Sequence, residues 1–218
     1  MRALLFDLDG TLTEAGGGGS RALGRALHAR PQAAEELRKM RLDGMTDRAI
    51  ARTLLTAEKK SVGERDIDEV LEHYLQALAI EVAQRPYKPL PGVGELLRAL
   101  QSRALLGLCT GNVARGAELK LSSAGLWRYW QFGGYGSDAE PRADIVRIAF
   151  KRAQALGATD ALVIGDTPRD ILAAHDAGLP ACGVATGRWS VHDLATHGAE
   201  KVIAGFSDVR TAIDLLLG

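Results

Sequence analysis

The stretch Ala3-Leu4-Leu5-Phe6-Asp7-Leu8-Asp9-Gly10-Thr11-Leu12 decides the reading of this chain. Its four leading apolar residues form a run of buried-strand type. The run stops at two carboxylates with one residue between them, then Gly10 and Thr11. A parallel strand that ends in acids presents them at the carboxyl edge of a sheet, where open α/β folds bind ligands. Aspartates are costly to bury there unless they are paired or hold a metal. A turn begun by Gly10 rotates Asp9 away from strict alternation. Both carboxylates can then flank one reacting atom, one attacking and one handling protons. The pair can also share a hard divalent cation such as Mg²⁺. Asp and Gly are equally ordinary turn formers, so this segment alone leaves the turn reading open.

Composition narrows the classes. The 218 residues are 46% hydrophobic and 25% charged, enough for a substantial core in one large domain or one domain with a smaller insert. Lys and Arg number 27, as do Asp and Glu, so no basic excess supports nucleic-acid binding. Cys109 and Cys182 sit in apolar, strand-like contexts and read as reduced core residues of an intracellular protein. Met1-Arg2 leads straight into the first strand, without a signal peptide. No apolar run approaches the roughly 20 residues that span a bilayer. The expectation is a soluble cytoplasmic protein, monomer or homodimer, with no membrane or nucleic-acid partner.

From Arg21 to about Arg85 the chain is helical in character. Gly16-Gly17-Gly18-Gly19-Ser20 reads as a flexible loop with Ser20 as a helix cap; its backbone N–H groups can approach a phosphate, although no P-loop Lys accompanies them. Ala22, Leu23, Ala26 and Leu27 form one stripe, Pro31 interrupts it, and Ala33–Met40 resumes it. Thr46 caps a helix through Leu55, and Ser61-Val62-Gly63-Glu64 fits a capping box. Ile67, Val70, Leu71, Tyr74, Leu75, Leu78 and Val82 then recur at helical spacing. This is a bundle of about four helices.

Pro86-Tyr87-Lys88-Pro89-Leu90-Pro91-Gly92 is a stiff return. Strand and helix alternate after it. Leu105–Cys109, Phe132–Gly134, Ala161–Ile164, Ala181–Val184 and Val202–Ile203 read as strands. Val113–Ser123, Ala143–Leu156, Pro168–Ala177 and Val209–Leu217 read as helices, with Ile145, Ile148, Ala149 and Leu156 facing the core. Such alternation predicts an α/β fold, a Rossmann-like parallel sheet with helices on both faces. Residues 1–13 and 86–218 would form that core. Residues 14–85 would be a helical cap inserted after the first strand, above the ligand edge, where it can act as a lid.

Two further strand ends carry chemistry. Leu108-Cys109-Thr110-Gly111-Asn112 offers a hydroxyl, a Gly and an amide ahead of a helix start that favours anions; a plain strand-to-helix turn with an Asn cap reads equally well. In Ala161-Leu162-Val163-Ile164-Gly165-Asp166-Thr167-Pro168-Arg169-Asp170 a buried strand again ends in a carboxylate. Asp166 is placed to complete an oxygen site for Mg²⁺ with Asp7. Asp170 closes a capping box with Thr167 around Pro168, which does not preclude a role beside the metal. The histidines show no ligand spacing, and Trp127, Trp130 and Trp189 read as packing residues.

These segments, in this order, resemble the motifs of the haloacid dehalogenase superfamily of phosphatases: Asp-Leu-Asp-Gly-Thr the first, Thr110-Gly111-Asn112 the second, Gly-Asp-Thr-x-x-Asp the fourth. The layout is similar to that of its helical-cap phosphatases acting on small phosphomonoesters of the phosphoglycolate type. The third motif departs. Where the superfamily has a Lys at a helix start, Ser137-Asp138-Ala139-Glu140-Pro141-Arg142-Ala143-Asp144 offers Arg142, which can meet the charge requirement bidentately. Lys120 and Lys151 are rival cations, and their positions inside helices favour solvated-surface roles.

The resemblance implies Asp7 as nucleophile, Asp9 as acid and base, and Thr110 and Arg142 as catalytic partners. It implies phosphate binding by Thr110, Gly111, Asn112 and Arg142. It implies Mg²⁺ on Asp7, Asp166 and the Asp9 backbone carbonyl, with Asp170 behind them. Gly44-Met45-Thr46-Asp47-Arg48 resembles a cap specificity segment, giving Thr46, Asp47 and Arg48 as substrate contacts, although an ordinary helix start accounts for it too; Lys39 and Arg41 stand nearby. The substrate would be a small phosphorylated metabolite. Three rivals remain. Asp9 argues against a dehalogenase, a phosphosugar mutase keeps both acids, and a non-catalytic regulator on this fold would tolerate the departed third motif.

Overall fold

The computed structural model describes residues 1–14, 16–58 and 61–218. Six parallel strands form one sheet: β1 (Arg2–Phe6), β2 (Leu105–Thr110), β3 (Phe132–Tyr135), β4 (Asp160–Gly165), β5 (Ala181–Val184) and β6 (Lys201–Ile203), in the order β3-β2-β1-β4-β5-β6. β1 is central. Phe6 pairs in register with Leu108 on one side and Ile164 on the other. A strand hydrogen-bonded on both edges and covered on both faces must be apolar throughout, and Ala3, Leu4, Leu5 and Phe6 are fully buried.

The period-2 alternation of a strand divides these residues between two cores. Leu4 and Phe6 join Leu106, Leu108, Leu162 and Ile164 under α5 (Val93–Leu100), α6 (Ala114–Ser123) and α10 (Val209–Leu217). Ala3 and Leu5 join Val163 under α7 (Arg142–Ala155), α8 (Pro168–Asp176) and α9 (Val191–Thr196). Truncating a side chain such as Leu4 to Ala would cost about 2–5 kcal/mol.

A third apolar cluster lies outside the sheet. It is built by α1 (Gly18–Ala26), α2 (Pro31–Lys39), α3 (Asp47–Thr56) and α4 (Glu64–Gln84), and Ile50, Leu54, Leu55, Ile67 and Leu78 are at its centre. The chain enters and leaves this layer through adjacent segments. Thr13 bridges Pro89, the Leu90 N–H donates to the Leu12 carbonyl (3.0 Å), and the Glu14 N–H donates to the Lys88 carbonyl (3.0 Å).

Several local readings shift. Pro31 begins α2 instead of only ending its predecessor, because a missing N–H costs nothing in the first turn. Ser20 lies inside α1, whose cap is Gly17 with φ 70°. The box expected at Ser61 sits two residues later, where the Asp66 carboxylate accepts from the Gly63 N–H at 2.8 Å. Leu156 is 52% exposed and Ile148 only half-buried, while Val146 joins Ile145 and Ala149 in the core. α5 and α9 go beyond the helices expected from sequence, although Val93, Leu96, Leu97 and Leu100 follow helical spacing and are all buried.

Candidate active site

Register brings the distant motifs together. Phe6, Leu108 and Ile164 lie in one row across three neighbouring strands. One or two residues further on come Asp7, Thr110 and Asp166. The sheet order reverses between β1 and β4, the crevice where such sheets hold ligands. The Asp7 N–H is fixed there by the Ile164 carbonyl at 2.8 Å. Beyond it Gly10 turns the chain with φ 84°. A Cβ at Gly10 or Gly187 would collide with the Asp166 carboxylate, so glycine is needed on both sides of that acid. The Thr11 hydroxyl donates to Asp166 Oδ1 at 3.3 Å, and the Thr186 hydroxyl to the Gly10 carbonyl at 2.6 Å.

Asp7, Asp166 and Asp170 each bring a carboxylate oxygen within 4.8 Å of the other two, and all three residues are buried. Burial and then repulsion from Asp170 push Asp7 up to about 7. The same causes, joined by Asp7, push Asp166 up to about 8. Three converging buried oxygen donors fit a hard divalent cation such as Mg²⁺, which prefers carboxylate and water ligands. Asp170, read from sequence as standing behind the metal, belongs to this triad. Its Oδ2 accepts from the Thr167 N–H (3.0 Å) and hydroxyl (2.7 Å), completing the expected box.

Arg142 is the first residue of α7 and reaches the same cluster. Its guanidinium pairs with Asp170 and lies 3.4 Å from Asp7. Burial opposes its charge, but Asp170 and Asp7 outweigh burial and hold it above its usual value. Arg142 thus places a buried cation beside the carboxylates of Asp7 and Asp170.

The Asp9 side chain turns away from the triad. Its Oδ2 accepts from Asn112 Nδ2 at 2.9 Å and from Lys120 Nζ at 2.6 Å. Asn112 also donates to Thr110 Oγ (2.9 Å) and accepts from Lys120 through Oδ1 (2.6 Å). The Thr110 hydroxyl accepts both of its bonds from Asn112 and lines the cavity. Two expectations change here. The Asn112 side chain is committed to Asp9, Thr110 and Lys120, not turned outward to a phosphate. Lys120 is not a surface residue: it is 4% exposed, while Lys151 is exposed as expected. Burial works against the Lys120 charge, yet Asp9 and its other neighbours hold the ammonium well above its ordinary value. The signal was its place on the helix, since Ala117, Lys120 and Leu121 share the buried face of α6.

The cap segment divides. The Asp47 carboxylate lines the cavity and accepts from the Val113 N–H at 2.8 Å. Burial raises it to about 6 despite the opposing charge of Lys120. Thr46 caps α3, with its hydroxyl donating to the Glu140 carbonyl at 3.2 Å, and Arg48 is paired with Glu64 and Asp68. Neither lines the cavity, nor do Lys39 and Arg41. The bonds of Thr46 and Arg48 tie the start of α3 to Glu140 and to α4. The cavity is about 630 Å³ and runs from Asp7 and Asp166 to α1, α3 and α4.

An α/β protein with buried acids, a cation and a hydroxyl gathered at its topological switch point has the makings of an enzyme site. The haloacid dehalogenase-like hydrolase family model matches residues 1–178. A probable phosphatase, IndB, of Dickeya dadantii is 30% identical, covering 98% of this chain and 94% of its own. Phosphoglycolate phosphatase of Yersinia pseudotuberculosis is 29% identical over 99% of this chain and 94% of its own. The crystal structure of a hydrolase from Pseudomonas syringae superimposes with a TM-score of 0.78 at 25% identity, covering all of both chains. The chain belongs to the haloacid dehalogenase-like hydrolases. Among the described residues no helix is long and apolar enough to cross a membrane.

Proposed function

We propose that this protein is a Mg²⁺-dependent phosphatase of small phosphomonoesters of the phosphoglycolate type, working through an aspartyl-phosphate on Asp7. The observation that carries the reading is the meeting of Asp7, Asp166 and Asp170 within 4.8 Å, with Arg142 beside Asp7. In this reading Asp7, Asp166 and Asp170, with the Asp9 backbone carbonyl, hold the ion. When bound, Mg²⁺ offsets repulsion between a carboxylate nucleophile and a phosphate dianion.

The chain's own groups supply the remaining steps. The Asp7 carboxylate attacks phosphorus in line. Asp9, held by Asn112 and Lys120, protonates the departing alkoxide and later takes a proton from the water that cleaves the acyl-phosphate. Thr110, the backbone after Gly111 and Arg142 receive the charge on the transferring oxygens. Residues 14–85 act as a cap whose closure limits water, with Asp47 among the side chains they contribute to the cavity wall. The substrate class is supported by the names of the relatives and by a cavity sized for a small metabolite.

The test is phosphate release by purified protein from a panel of small phosphoesters, with Mg²⁺ and with chelator, beside Asp7→Asn. Metal-dependent release that the variant loses supports the reading. Isomerised sugar phosphate without release overturns it in favour of a mutase, and inertness across the panel overturns it in favour of a regulator.

A further inference from the structure

The Gly16–Gly19 run is left unused by the chemistry above, and the structure turns it toward the cavity. Gly17 caps α1 in the left-handed region, and Gly17, Gly19 and Ser20 line the cavity. The opening turn of a nine-residue helix, with its unpaired N–H groups, therefore borders the same cavity as Asp7 and Asp9. Such an end favours anions, but by itself it marks nothing.

Three further side chains converge on it. Tyr87 is 8% exposed and lines the cavity, and its hydroxyl has no hydrogen-bond partner of good geometry. That oxygen lies 2.9 Å from where a Cβ on Gly18 would stand. Burial raises the Tyr87 phenol, and Lys120 and the Gly19 N–H, both facing it, oppose that rise. Lys120 Nζ and the Tyr74 hydroxyl lie 3.5 and 3.6 Å from the Cβ position that Gly19 leaves vacant. Lys120 therefore spans two functions, holding Asp9 on one side and facing the α1 end on the other.

We infer that the α1 N-terminus, the Tyr87 hydroxyl and Lys120 form a subsite for a carboxylate on the non-transferred end of the substrate. The inference rests on the phosphatase reading and names the groups that choose its substrate. Several observations favour one carboxylate over a second phosphate. Outside the triad, Asp9, Glu14, Asp43 and Asp47 line the cavity against Lys120, Arg142 and Arg188, and Arg142 is already engaged by Asp170 and Asp7. A further dianion would add twice the charge to that acidic excess, beside an ammonium already shared with Asp9, whereas a carboxylate adds one. A planar carboxylate can also take a phenol O–H on one oxygen and a helix N–H on the other. Gly19 is what keeps the space open, since any side chain there would occupy it.

The experiment compares phosphoglycolate with ethyl phosphate, which has the same chain length and no carboxylate, on wild type, Gly19→Ala and Tyr87→Phe. Both changes keep the fold, since a Cβ at Gly19 meets only ordinary contacts and Phe fills the Tyr87 volume. Wild type is expected to prefer phosphoglycolate in kcat/KM. Each variant is expected to raise its KM by about tenfold, the scale of a lost hydrogen bond to a charged group. The KM of ethyl phosphate should stay within about twofold on the same scale. Equal losses on both esters, or no preference in wild type, overturn the subsite while leaving the phosphatase standing. Absence of phosphate release from every ester in wild type would overturn the phosphatase reading itself, and the subsite with it.

Discussion

Lys120 Nζ lies 2.6 Å from Asp9 Oδ2, a pair that joins positions 111 residues apart across the seam between α6 and the β1 turn. The lysine is almost wholly buried, and the aspartate side chain keeps a third of its surface. Removing one partner of such a pair strands the other charge beside Asp47 and lowers stability. Water can still reach Asp9, so the stability cost should fall below the about 3–5 kcal/mol typical of fully buried pairs. Catalysis should suffer more. Lys120→Met is expected to lower kcat by about 100-fold, the lower end of what a positioned acid–base group contributes. Steady-state kinetics beside urea unfolding separates the two effects, and an unchanged kcat would show that Asp9 needs no such hold.

The same pair marks where local sequence stops being informative. Asp7, Asp9 and Asp166 were legible because a buried strand tolerates no acid until it reaches the sheet edge, so the residue where an apolar run stops marks that edge. Four helices ahead of the Pro-rich return were legible from periodicity together with cap and breaker residues. Lys120 was not, because its position inside a helix was weighed without asking which face it occupied; Ala117 and Leu121 held the answer. Arg48 misled in the opposite direction. Its partners Glu64 and Asp68 lie 16 and 20 residues on, and tertiary pairing of that kind leaves no local pattern. The strand order was also hidden, since alternation fixes parallel pairing but not which strand stands beside β1.

Arg142 meets Asp170 and Asp7 in the position where the family pattern has Lys. Arg142→Met should leave the acid triad with no organic cation and lower kcat by about 1,000-fold, the scale of losing an electrostatic donor to the transferring group. Arg142→Lys restores the charge without the planar fork. It is expected to recover part of that loss, with activity between the two. Full recovery by Lys would mean that the fork geometry is idle here.

Gly10 and Gly187 leave room for the Asp166 carboxylate. If the triad holds Mg²⁺, the ion should raise the melting temperature of the folded protein, by about 2.7 kcal/mol of added stability at 100 times its Kd. Asp166→Asn is expected to abolish that shift. Gly10→Ala should reduce it as well, because a Cβ there displaces the acid and strains a backbone at φ 84°. Thermal melts with Mg²⁺ and with chelator make the comparison, and a shift of wild-type size in Asp166→Asn would remove Asp166 from the ligand set.

Asp47 predicts a pH dependence that its own variant can isolate. Burial raises its carboxyl to about 6 from the ordinary value of 3.8. The folded protein then holds this proton where the unfolded chain has released it. A state that binds more protons is favoured at low pH, so the contribution is fully present below about pH 4 and is lost as pH rises through 6. Asp47→Asn keeps an oxygen for the Val113 N–H and cannot ionise. Relative to this variant, wild type should lose roughly 3 kcal/mol of stability between pH 4 and pH 7, two pKa steps of about 1.4 kcal/mol each. Urea unfolding of both proteins across that range reads the difference directly, since titrations common to the two cancel. A flat difference would mean that Lys120, which favours the charged form of Asp47, offsets the burial of this carboxylate completely.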